Sequence, residues 1–106
     1  MTKQKIEALG RVMLEEHGLP DWSVRAVREE DDMGDEDDIA GSRGRCYYEE
    51  RLIWVNMRYA DDPHMVRQIL LHEITHALLA PGIHHGQEFR AKAREIGLEG
   101  DGLEEL

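Results

Sequence analysis

The chain has 106 residues, 41% of them hydrophobic and 34% charged, with a formal net charge of −10. That length suits one domain, residues 1 to 106, built on a single modest core. No run of about 18 apolar residues occurs, which excludes a membrane span, and the acid excess argues against nucleic-acid binding by this chain alone.

The charge is unevenly placed. Eight of the 23 acids fall between Glu29 and Asp38, leaving 15 acids against 13 Lys and Arg elsewhere. Cys46 is the only cysteine, so neither an internal disulfide nor a thiolate metal site is expected. The first residues are amphipathic and lack the apolar stretch of a signal peptide. Together these features predict a reducing, cytoplasmic setting.

Ile6, Leu9, Met13 and Leu14 recur at helical spacing and predict an amphipathic helix over residues 3–17. Gly18 suits the position after a helix end, and Pro20 blocks continuation. Trp22, Val24, Ala26 and, less cleanly, Val27 alternate with polar residues, as in a half-buried strand over 22–28. The acidic segment 29–38 is expected to be a solvated loop; it lacks the D-x-D-x-D-G spacing of a calcium loop. Two further strands are predicted over 45–49 and 52–57, with Glu50-Arg51 as the turn between them. Ile53, Val55 and Met57 would face one side, and Leu52, Trp54 and Asn56 the other. The sheet is expected to lean towards antiparallel pairing. Asp61 or Asp62 offers an N-cap and Pro63 a first helical position. Apolar spacing then predicts a helix from Pro63 to about Leu79, ended by Pro81-Gly82. A last helix fits Gln87 to Ile96 with Gly97 as its stop, and the tail is expected to be weakly ordered.

The second long helix contains His72-Glu73-Ile74-Thr75-His76, an HExxH. Residues four apart share a helix face, so His72 and His76 can direct two imidazoles at one Zn2+ ion. Glu73 points beside that face, where it can deprotonate a metal-bound water. A catalytic zinc needs a third protein ligand and an open water position. His84, His85 and Glu88 are the candidates, and the break at Pro81-Gly82 lets the chain fold back towards the ion. His17, near the first helix end, and His64, opening the motif helix, read as ordinary surface histidines. Tyr47, Tyr48 and Tyr59 are candidate oxyanion partners, each also accounted for as a core or edge residue. Arg90 and Arg94 fit a substrate carboxylate or, more simply, surface ion pairs.

The run HEITHALLAPGIHHGQEFRAKAREIG resembles the SprT-like zinc metallopeptidases, in which an HExxH helix is followed by H-G-x-x-F/W opening another helix. His85-Gly86-Gln87-Glu88-Phe89 matches that second element. The resemblance implies His85, rather than His84, as third ligand, Phe89 packed on the motif helix, and Glu73 as general base. The upstream order of helix, three strands and motif helix is similar too. Two departures stand out: the connection from His76 to His85 is shorter than in many relatives, and no cysteines exist for the zinc-ribbon tail common in the family. The protein–DNA crosslink substrates of some relatives are therefore not carried over. Metzincins do not fit, since position 79 is Leu and position 82 is Gly.

The expectation is an α+β, zincin-like minimal domain with an N-terminal helix, a three-stranded sheet, the HExxH helix and a closing helix. Zinc would be held by His72, His76 and His85, with Glu73 as the catalytic base of a peptidase acting on a protein or peptide. The alternatives are a non-catalytic zinc-binding domain and a zinc hydrolase of a non-peptide amide.

Overall fold

The computed structural model describes residues 1–28, 43–79 and 86–98. The acidic segment 29–38, the Pro81-Gly82 break, His84, His85 and the C-terminal tail lie outside those residues.

The first helix, α1, spans Lys3–Glu16. The Thr2 hydroxyl caps it by accepting from the Lys5 amide at 3.2 Å, satisfying one of the orphan donors of the first turn. Ile6, Gly10, Met13 and Leu14 form its buried stripe. Gly10 costs helix propensity, but a Cβ there would lie 2.4 Å from Val24 Cγ2, so only glycine allows this close approach. The helix stops at Gly18, in the left-handed region at φ 77°.

Strands β1 (Ser23–Val27), β2 (Gly44–Tyr47) and β3 (Leu52–Asn56) form one sheet in the order β1-β3-β2. The β2–β3 hairpin is antiparallel. Its turn carries no glycine, and Arg51 takes the left-handed conformation at φ 52°. The pairing of β1 with β3 is parallel, so the sheet is mixed rather than antiparallel-leaning. The reason is topological: β3 inserts between β1 and β2, running alongside the first and against the second. The edge strand β1 is partly covered, because Glu7 Oε2 accepts from the Ala26 amide at 3.1 Å. A helix that occupies free strand donors blunts a sheet edge.

The register puts Val24, Ala26, Ile53, Val55, Gly44 and Cys46 on one face. Ile53 and Val55 are fully buried there. Asn56, predicted on the opposite face, is buried too. Its side chain accepts from the Arg58 amide at 2.9 Å and starts a 3-10 turn over Met57–Tyr59. Met57 therefore leaves the strand instead of extending it. The N-terminal amine of Met1 donates to the Ala60 carbonyl just beyond that turn.

Helix α2, Pro63–Leu78, begins at an Asp62 cap with Pro63 in its first turn. Val66, Ile69, Leu70, Leu71 and Ile74 are buried, and so are Gln68, Glu73 and Thr75. The helix is thus covered on most of its circumference, by the sheet and by α3, Gln87–Ile96. Phe89 and Ala93 are the buried face of α3, and Gly97 closes it at φ 102°. The Leu98 amide reaches back to the Ala93 carbonyl at 2.8 Å, a Schellman-type ending. Among the described residues, no helix is long and apolar enough to cross a membrane.

Candidate metal centre

The helical repeat brings His72 and His76 together as expected. Their ring centres are 5.1 Å apart with planes inclined at 64°, and neither residue is fully exposed. Phe89 of α3 closes over the pair. Its ring centre lies 5.1 Å from that of His72 and 4.6 Å from that of His76, and it is completely buried. The expected packing of Phe89 on the motif helix is therefore present. An aromatic wall restricts imidazole rotation and keeps water from one side of the pair.

Glu73 packs towards the sheet, against Gly44 of β2. It is only 6% exposed, because β2 runs unusually close. A Cβ on Gly44 would stand 3.2 Å from Glu73 Cγ, 3.0 Å from Ile69 Cγ2 and 2.7 Å from the Trp54 carbonyl oxygen. Burial pushes the Glu73 carboxyl up to about 8, against a smaller opposing pull from the Arg45 guanidinium. A carboxyl in that range is suited to taking up and returning a proton near neutral pH.

Strand β2 supplies the rest of this wall. Cys46 follows Gly44 on the same face, and its thiol is pushed up to about 12 by burial and then by the Glu73 charge. It is therefore an inert wall group, since reactivity belongs to the thiolate. Tyr48, just past the strand, donates its hydroxyl to the His76 carbonyl at 2.5 Å. Its ring meets Trp22 edge-on at 6.1 Å. Burial raises its phenol, and the charges of Cys46 and Glu73 raise it further.

Other predicted candidates are placed elsewhere. Tyr47 packs against Trp54 of the adjacent strand, with ring centres 5.1 Å apart and planes inclined at 58°, on the opposite face of the sheet. Tyr59 lies beneath the Arg43 guanidinium at 5.7 Å. His17 forms the C-cap of α1, and His64 is exposed in the first turn of α2. Glu88 is exposed in the first turn of α3. Arg90 and Arg94 line an open cavity with Gly86, Gln87 and Ala91. Among the described residues no group of three or more His, Cys, Asp or Glu is placed to hold a metal ion, so Glu88 does not join His72 and His76 as a third ligand. His84 and His85 lie outside the described residues.

In the sequence Gly44 reads as punctuation and Cys46 as a redox indicator. Both are walls of the site. Their common parity on β2 is the available signal, but it acquires meaning only once the strand is known to face α2.

A family model of SprT-like proteins matches residues 21–105. The chain belongs to the SprT-like family, in keeping with its paired HExxH and HGQEF elements. The match begins after α1, so the first helix is the part of the fold outside it. No curated protein and no solved structure gives a significant match.

Proposed function

We propose that this chain is a zinc-dependent peptidase in which His72, His76 and His85 hold the metal and Glu73 is the general base. The observation that carries the reading is the joint placement of two imidazoles and a buried carboxyl on adjoining faces of α2. Two imidazoles sharing a tetrahedral zinc at about 2.1 Å per nitrogen have ring centres about 5 Å apart, and the His72–His76 spacing of 5.1 Å suits that arrangement. The donor set is also chemically apt, since imidazole nitrogens are common zinc ligands. Family membership supports the same class of activity.

Bound zinc would polarise the scissile carbonyl and acidify a water molecule. The chain's own residues do the remaining work. Glu73 accepts the proton of the attacking water on its carboxylate and returns it to the leaving amine nitrogen. Glu73 acts in this step as a carboxylate, the form that the charge of a bound metal ion would favour over the buried acid of the metal-free chain, and cleavage of the C–N bond gives that proton a more basic destination. Phe89 and the Gly44–Cys46 wall shield the pair from bulk solvent. Strand β2 pairs only with β3 among the described residues, so a substrate strand of a protein or peptide is expected to add along β2. Membrane and nucleic-acid partners are not part of this reading.

Zinc content and peptide cleavage of wild type and Glu73→Gln test the proposal. Wild type should carry one zinc per chain and cleave peptides, whereas Glu73→Gln should keep zinc and lose cleavage. Zinc retention by wild type without cleavage of any protein or peptide substrate would instead make the chain a zinc-binding module. Cleavage confined to small amides would make it a non-peptide hydrolase. Loss of zinc in His85→Ala but not in His84→Ala is the expected ligand result.

A further inference from the structure

Helix α2 ends differently from α1 and α3. Helices α1 and α3 close through Gly18 and Gly97, both left-handed. Helix α2 has neither a left-handed residue nor a Lys or Arg in its last turn; its C-cap Leu79 is extended, at φ −103° and ψ 162°. The last four carbonyls of any helix lack intrahelical partners, and the His76 carbonyl is one of them. It accepts the Leu79 amide at 3.2 Å and the Tyr48 hydroxyl at 2.5 Å. Tyr48 comes from the end of β2, far away in sequence, and its ring is steadied by Trp22 of the segment entering β1.

We propose that Tyr48 is a positioning residue of the metal centre. Its hydroxyl caps the last turn of α2 from the sheet side. That clamp fixes the backbone of His76 and the direction in which the chain leaves the helix. The strand that walls off Glu73 and the helix that bears the imidazoles are thereby tied at the residue where a ligand and the helix end coincide. The metal consequence rests on the zinc reading above, whereas the clamp does not. Partners bonded to the ligating side chain itself change metal affinity by about 10- to 100-fold when removed, and that range is the upper bound for a clamp on the ligand's backbone.

Tyr48→Phe isolates the hydroxyl, because the ring and its contact with Trp22 are kept. Tyr47→Phe, on the opposite face of the same strand, is the control. In the zinc-free chain, hydrogen exchange at the Leu79 amide and the last turn of α2 should accelerate about tenfold in Tyr48→Phe and stay unchanged in Tyr47→Phe. Competition with a chelator should show zinc bound more weakly by Tyr48→Phe alone, by up to about 10-fold. Unchanged exchange and unchanged zinc affinity overturn the inference. Faster exchange with unchanged zinc affinity reduces Tyr48 to a helix cap and overturns its role at the metal. A wild type that takes up no zinc overturns the peptidase reading, and the exchange comparison still decides the clamp.

Discussion

Two glycines let a helix and a strand meet at close range, at opposite edges of the same sheet. Gly10 of α1 sits against Val24 of β1, and Gly44 of β2 sits against Glu73 and Ile69 of α2. The first contact joins apolar groups only. Its yield is packing, and the carboxylate beside it, Glu7, remains partly exposed while it accepts from the Ala26 amide. The second contact seals a carboxyl into the interior beside two imidazoles, and burial then holds that carboxyl protonated up to about pH 8. The same steric device therefore builds scaffold at one edge and buries a carboxyl beside the imidazole pair at the other. What differs is the residue that the missing Cβ admits.

The sharpest way to break this comparison is through Glu73. Unfolded, its carboxyl ionises near 4.5, whereas in the folded, metal-free chain it holds its proton to about 8. Between those values the folded state binds more protons. Stability is then full below about pH 4.5 and falls as pH rises through about 8, by at most about 5 kcal/mol. Glu73→Gln should remove that slope, read as thermal unfolding of zinc-free protein from pH 5 to pH 9. An identical slope in both proteins would show that Glu73 is not held in the low-dielectric site described.

Gly44→Ala comes next. The Trp54 carbonyl is backbone and cannot yield, so the added methyl must shift β2 or push Glu73 aside. Overpacking of this kind costs about 1–3 kcal/mol, and peptide cleavage should fall at least tenfold in the protein that remains folded. Gly10→Ala is the scaffold counterpart. The clash with Val24 is partly offset by the roughly 1 kcal/mol that Ala gains over Gly in a helix, so a smaller loss, up to about 2 kcal/mol, is expected by denaturant unfolding. Zinc affinity and kcat/KM should be unchanged. A Gly10→Ala protein with altered kcat/KM would show that the two edges are coupled. The smallest effect belongs to Thr2→Ala, which removes the α1 cap and should cost about 1 kcal/mol with no change in cleavage.

Much of this molecule is legible in the order of its residues. Asp62 and Pro63 announce the start of α2, Gly97 the end of α3, and apolar spacing the buried stripe of α1. The His72–His76 pair follows from the helical repeat alone, and Phe89 from its place in the HGQEF element. Other features depend on non-local pairing. The parallel partnership of β1 and β3 makes the sheet mixed where antiparallel pairing is expected to dominate, because strand order is decided by which apolar faces meet. Asn56 has the parity of an outward strand residue and is buried as the cap of a 3-10 turn. Of three candidate tyrosines, Tyr48 alone reaches the site, since Tyr47 pairs with Trp54 and Tyr59 lies against Arg43.

The sequence by itself determined the helix that carries HExxH, the residues on its faces and the family to which the chain belongs. Those are properties of short-range periodicity and of motifs within a few turns, where neighbours in the chain are neighbours in space. Only the tertiary structure decided what surrounds Glu73 and His76. Gly44, Cys46 and Tyr48 are separated from them by a hairpin and a turn, and they meet α2 because the register of β2 against β3 turns that one face inward. Burial, and with it the proton affinity of Glu73, is a property of that meeting and of no residue alone.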